Sequence, residues 1–99
     1  MTRIDFVAIN QVARLRLRDL LAQLLPDGRL RGKEWVARNP TRNDRKAGSF
    51  SINVETGQWS DFATGDKGGD AVSLIAYLTR SSQLEAAQKL CALLGVQHA

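Results

Sequence analysis

One cysteine, Cys91, is all the 99 residues contain, so the chain can form neither an internal disulfide nor a cysteine-built zinc site. A solitary thiol is also at ease in a reducing compartment. Proline, with two residues, and glycine, with eight, are not in excess, and Leu, Ile, Val and Phe are plentiful, which excludes disordered, collagenous and low-complexity classes. No apolar run approaches the roughly 18 residues of a membrane span, and the start, Met1-Thr2-Arg3-Ile4-Asp5, lacks the apolar core and small-residue cleavage site of a secretory signal. The only histidine, His98, lies next to the last residue with no partner to act with. These absences predict one small cytoplasmic domain, residues 1–99, with no membrane partner and with stability drawn from packing.

The charge that is present is unevenly placed. Fourteen Lys and Arg against ten Asp and Glu give a net +4, yet the stretch from Arg29 to Lys46 alone carries seven basic and two acidic residues, leaving the rest of the chain at −1. Such a run is usually a solvated face. Its richness in Arg, whose fork takes phosphate bidentately, and the neighbouring Trp35 and Trp59 favour a second reading, in which cations hold phosphates and an aromatic stacks on bases of a single strand. For either tryptophan taken alone, burial in the core is the commoner fate.

Apolar residues at Val12, Ala13, Leu15, Leu17, Leu20, Leu21, Leu24 and Leu25 predict an amphipathic helix from about Asn10 to Leu25, stopped by Pro26-Asp27-Gly28. Short strands follow at Arg29 to Arg31 and Lys33 to Arg38, then a loop from Asn39 to Gly48. Ser49 to Val54 and Gln58 to Phe62 alternate polar and apolar around the turn Glu55-Thr56-Gly57, which reads as a hairpin with Phe50, Ile52 and Val54 on one face. A polar, Gly-rich turn, Ala63 to Gly69, leads to Asp70 as N-cap of a helix Ala71 to Thr79, and Ser81-Ser82 opens a last helix, Gln83 to Leu94, ended by Gly95. The expected class is α+β, a small antiparallel sheet of three to four strands packed with an N-terminal helix and two C-terminal helices.

Four segments in this order, Gly32-Lys33-Glu34-Trp35-Val36-Ala37-Arg38-Asn39-Pro40-Thr41-Arg42, Gly48-Ser49-Phe50-Ser51-Ile52, Gly57-Gln58-Trp59-Ser60-Asp61-Phe62-Ala63-Thr64-Gly65 and Gly68-Gly69-Asp70-Ala71-Val72-Ser73-Leu74-Ile75, resemble the N-terminal zinc-binding domain of bacterial and phage DNA primases. The resemblance spans roughly Leu15 to Val96. That family's pattern is a strand, Cys-Pro-x-His, a charged loop, a Pro-Ser-Phe strand start, a hairpin into aromatic-x-Cys-Phe-x-Cys-Gly, a Gly-rich turn and two helices. Placing Pro40 and Phe62-x-x-Gly65 on it puts Asn39, Arg42, Asp61 and Thr64 where the family carries its four zinc ligands. The loop from Arg42 to Ser49 is one residue longer than the pattern, and Gly48 replaces the Pro. Arg does not bind zinc, and Asn and Thr are poor ligands for it, so the expectation is a relative of the domain without metal or other cofactor. An ion pair between Arg42 and Asp61 would stand in part for the lost crosslink.

The resemblance implies a non-catalytic accessory module of DNA replication or primer synthesis, of phage or mobile-element kind, that binds single-stranded DNA or RNA. Lys33, Trp35, Arg38, Arg42, Arg45, Lys46, Trp59 and Lys67 are the expected contacts, and a primase, polymerase or helicase the expected protein partner. The alternatives are a module that docks on a replication or host protein through its basic strip, and one domain of a larger primase-helicase; Gly95 near the end favours a complete domain. A magnesium site at Asp61, Asp66 and Asp70 is disfavoured because Asp70 reads as a cap and Asp61 as an ion-pair partner, and Gly65-Asp66-Lys67-Gly68-Gly69 lacks the ending of a phosphate loop. Cys91, between Leu90 and Leu94, reads as a small buried hydrophobe. No acid–base pair or nucleophile is visible, so no enzymatic activity is expected.

Overall fold

The computed structural model describes residues 5–42 and 48–95. Its elements are α1 (Phe6–Leu15), α2 (Leu17–Leu24), β1 (Arg29–Arg31), β2 (Glu34–Ala37), β3 (Phe50–Asn53), β4 (Trp59–Asp61), β5 (Asp66–Gly68), α3 (Ala71–Thr79) and α4 (Gln83–Leu94). The class is α+β, as expected, with four helices and a five-stranded antiparallel meander among the described residues, in the order β1-β2-β3-β4-β5.

The expected N-terminal helix is two helices. The Asp5 carboxylate accepts the N–H of Ala8 and starts α1 four residues ahead of Asn10, the expected start. The break falls at Arg16, where the backbone N–H bonds Ala13 O and the guanidinium donates to the carbonyl of Leu94 at the end of α4. Ile9, Ala13, Leu17, Leu20 and Leu21 form the buried stripe, whereas Leu15, two positions from Ala13 and so on the opposite side, is 86% exposed. Leu15 therefore does not belong to the apolar face expected of it.

In the sheet, Gly32 turns β1 into β2 with a left-handed φ of +62°. Asn53 Oδ1 accepts the N–H groups of Glu55 and Thr56 to close the β3–β4 turn. The fifth strand lies inside the segment expected to be only a turn. Asp-Lys-Gly has low strand propensity, but the residues pair with β4 in the register Trp59↔Gly68, Ser60↔Lys67 and Asp61↔Asp66. A Cβ at Gly68 would lie 2.4 Å from Trp59 Nε1, so the bare glycine lets the indole lie across this strand.

Register assigns the two faces. Leu30, Trp35, Ile52 and Trp59 form one cross-strand row, and Ala37, Phe50 and Asp61 the next, both on the side that α3 covers. Phe50, Ile52 and Val54 are buried there, as the hairpin pattern predicts, beside Leu74, Leu90 and Leu17. The opposite side carries Arg29, Val36, Ser51, Ser60 and Lys67 in a single row. On the helical side, Asp70 and Ser73 cap α3 reciprocally, and Asn10 of α1 accepts the N–H of Val72. Ser82 caps α4, and Gly95 closes it in the left-handed region. Cys91 is buried in α4, and burial raises its thiol pKa, in keeping with a packing role.

Candidate nucleic-acid interface

The four positions that the primase pattern reserves for metal lie at one end of the sheet. Asn39 follows β2 and Asp61 ends β4, and both side chains are buried. Asp61 Oδ2 accepts from Asn39 Nδ2 (2.8 Å) and Arg42 Nε (3.0 Å), while Oδ1 accepts from Arg42 Nη2 (3.3 Å) and the N–H of Ala63 (3.0 Å). Burial pushes the Asp61 carboxyl pKa up, but the hydrogen bonds from Asn39, Arg42 and Ala63 outweigh it and bring it down to about 2. Thr64 meets Asp61 through the backbone: its N–H and Oγ1 both donate to the Asp61 carbonyl.

Residues from three further places complete this polar knot. Tyr77 of α3 accepts from Asn39 Nδ2 (2.8 Å), donates to Asp66 Oδ2 (2.8 Å) and lies 3.2 Å from the Thr41 hydroxyl. Asn39 Oδ1 accepts from the N–H and hydroxyl of Thr41, and Arg42 Nη2 donates to Ser49 Oγ at 2.7 Å. An amide, a guanidinium and a carboxylate already saturated with N–H donors form a crosslink of hydrogen bonds and charge, a donor set unlike the thiolates and imidazoles zinc prefers. Among the described residues no buried side-chain polar atom lacks a partner. The expected Arg42–Asp61 ion pair is present.

The expected nucleic-acid contacts separate into distinct environments. Trp59 is buried, 6% exposed, with Nε1 donating to Ser73 Oγ at 3.0 Å and its ring 4.6 Å from that of Tyr77. Trp35 is half-buried on the same face, its Nε1 donating to the carbonyl of Leu25 across Gly28, where a Cβ would be 2.0 Å away. Trp59 is thus part of the core and Trp35 packs half-buried against it, both on the cross-strand row of Ile52. Arg42 belongs to the knot. Arg38 pairs with Asp27 at 3.2 Å, and the Arg38 N–H above all holds the Asp27 carboxyl below its ordinary pKa. Lys33 pairs with Glu55 at 3.4 Å, both well exposed, a contact of little energy. Lys67 is exposed on the uncovered face and makes no ion pair among the described residues. Arg45 and Lys46 lie outside the described residues.

Three further residues point outward. Arg29 and Arg31, counted in the basic run, stand exposed on the uncovered face of the edge strand β1. Phe62, whose N–H continues the ladder to Ser49 O, is 76% exposed. Phe62 is the first residue after β4, at the start of the turn that leads to β5, so alternation along the strand does not by itself place its ring. Between Glu34 on β2 and Lys67 on β5 the same face sinks into an open trough of about 330 Å³.

The sequence matches no protein-family model and no curated protein. Among the described residues, no helix is long and apolar enough to cross a membrane.

Proposed function

We propose that this protein is a non-catalytic, cytoplasmic module that binds single-stranded nucleic acid on the uncovered face of its sheet, similar to a primase zinc domain in which the Asn39–Arg42–Asp61 knot replaces the metal. The observation that carries the reading is the composition of that face. A sheet packed by helices on one side presents on the other three exposed cations without ion pairs among the described residues, Arg29, Arg31 and Lys67, and an exposed phenylalanine, Phe62, stands where β4 ends. Small side chains, Ser51 and Ser60, separate them and keep the surface open to a planar base. Cations on phosphate and an aromatic under a base are the two parts of single-strand recognition. Nucleotidyl transfer would belong to a separate primase, polymerase or helicase partner.

Titration of a labelled oligonucleotide at several salt concentrations tests this. Affinity falls with salt by about 0.7 log units per phosphate contact per decade. Lys67→Ala and Arg29→Ala each flatten that slope, whereas Phe62→Ala weakens binding by about 1–3 kcal/mol and leaves the slope alone, because stacking releases no counterions. Absence of binding at low salt defeats the reading.

A second reading, docking on a protein, draws on the helical side. An almost wholly apolar groove of about 420 Å³ runs between Leu24 of α2, Ile75 and Leu78 of α3 and Leu93 of α4. Recovery of a partner protein whose capture is lost in Leu93→Asp but kept in Lys67→Ala would favour it.

A further inference from the structure

One feature of the uncovered face is at odds with uniform phosphate binding. Glu34 is half-buried in β2, between Arg31 of β1 and Asn53 of β3 in the cross-strand register, and its carboxylate has neither an ion pair nor a hydrogen bond among the described residues. It lines the trough with Ser51, Asn53, Gln58, Ser60 and Lys67. The volume, about 330 Å³, is at the lower end of the range of small-ligand sites, about 300–1,000 Å³. A carboxylate repels a phosphate, so a strand held by the cations of this face favours turning a base edge, and not its backbone, toward Glu34.

An ionised carboxylate only accepts hydrogen bonds. Of the bases, guanine alone offers two N–H groups side by side, at N1 and N2, spaced to meet two carboxylate oxygens. Adenine and cytosine offer one amino group beside a ring nitrogen that would face the carboxylate as a second acceptor, and thymine or uracil offers one N–H between two carbonyls. Resting on the nucleic-acid reading above, we infer that the trough is a base-reading pocket in which Glu34 receives the Watson–Crick edge of a guanine. The hydroxyls and amides of Ser51, Asn53, Gln58 and Ser60 line the space in which the base lies. Lys67, three strands across and two residues along from Glu34, about 16 Å away at ordinary strand spacing and rise, holds a flanking phosphate. The face then combines a charge-driven, sequence-blind component with one specific position.

Fluorescence anisotropy on labelled oligothymidine carrying one central guanine, hypoxanthine, adenine or cytosine reads this directly. The guanine strand is expected to bind about fivefold or more tightly than plain oligothymidine, as a bidentate pair allows. Hypoxanthine, which lacks the N2 amine, should lose most of the gain. Glu34→Gln should abolish the guanine advantage and leave binding to plain oligothymidine unchanged or improved, since it removes a negative charge; its melting temperature shows that it is folded. Lys67→Ala should weaken every strand and keep the preference. Equal binding of all strands, or a guanine preference that survives in Glu34→Gln, overturns the pocket while leaving single-strand binding standing. No binding of any strand at low salt overturns both.

Discussion

Replacing Asp61 with asparagine keeps the shape of the side chain at the centre of the polar knot and changes its charge and one oxygen. In the native protein that carboxylate is buried and accepts from Asn39, twice from Arg42 and from the Ala63 N–H. An asparagine amide offers one oxygen, and its NH2 would face donors. The guanidinium of Arg42, whose side chain is 33% exposed, loses the Asp61 carboxylate but keeps partial access to water. Breaking a fully buried pair costs about 3–5 kcal/mol, so the partial exposure of Arg42 places the expected loss near 3 kcal/mol at neutral pH. The pH dependence gives a second, independent measure. The Asp61 pKa is depressed from 3.8 to about 2, so the folded state is favoured while the group is ionised. That contribution is complete above the unfolded value near 4 and disappears as pH falls toward 2. Its size is about 2 kcal/mol at 1.36 kcal/mol per pH unit. For a domain of this length this corresponds to roughly 8–16 °C in melting temperature. Thermal melts of both proteins at pH 7, 4 and 2 should therefore show a large gap that narrows between pH 4 and 2, other carboxylates affecting the two equally. A gap below about 0.5 kcal/mol at pH 7, or one constant down to pH 2, would refute the reasoning.

Phe50 is fully buried between Trp59 and Tyr77, with ring centroids 6.3 and 6.2 Å away, so Phe50→Ala should cost about 3–5 kcal/mol in urea unfolding; a loss under about 1 kcal/mol would remove it from the core. Gly68→Ala places a Cβ 2.4 Å from Trp59 Nε1 and 2.6 Å from Ser73 Oγ, and should cost about 1–3 kcal/mol with a shift in tryptophan emission, whereas unchanged emission and stability would mean that the indole does not lie on β5. A chelator should leave the melting temperature unchanged, because the knot is closed by hydrogen bonds; one zinc per chain by elemental analysis would contradict that account of positions 39, 42, 61 and 64.

The helical half of the fold could be read from local chemistry. Asp70 with Ser73, Ser82 with Glu85, and Gly95 are caps made by residues within a few positions of one another, so their meaning survives in the linear sequence. The break at Arg16 could not be, because part of what meets it there is a carbonyl 78 residues away, at Leu94. β5 was hidden for a similar reason: Asp66, Lys67 and Gly68 show no alternation, and only pairing with β4 makes them a strand. At the candidate site, Arg42 with Asp61 was anticipated from the resemblance, which sets positions 39, 42, 61 and 64 side by side, together with their opposite charges. Tyr77 and Ser49 complete the knot through contacts whose geometry exists only once α3 and β3 are in place. The aromatic positions needed the fold as well: register sets Trp35 and Trp59 on the row of Ile52, and Phe62, just past β4, is the exposed ring.

Asp61 ties this local architecture to the proposed interface. Its carboxylate holds the 39–42 turn through Asn39 and Arg42, and the same residue holds the start of β5 through its backbone carbonyl, which accepts the N–H groups of Thr64 and Gly65. Ala63, between these contacts, donates to Oδ1, so each of residues 63, 64 and 65 is bonded to Asp61. The Phe62 N–H is bonded instead to Ser49 O, which fixes the backbone while the ring stays in solvent. On the proposed reading, an exposed aromatic on a clamped backbone would lose little conformational entropy when a base settles on it, so the clamp would contribute to binding without touching the ligand. Asp61→Asn, at a temperature where it remains folded, should therefore weaken oligonucleotide binding in the same way as Phe62→Ala, with the salt slope unchanged, and the two together should be less than additive. Full additivity would mean that the knot and the aromatic act separately, and that the knot serves stability alone.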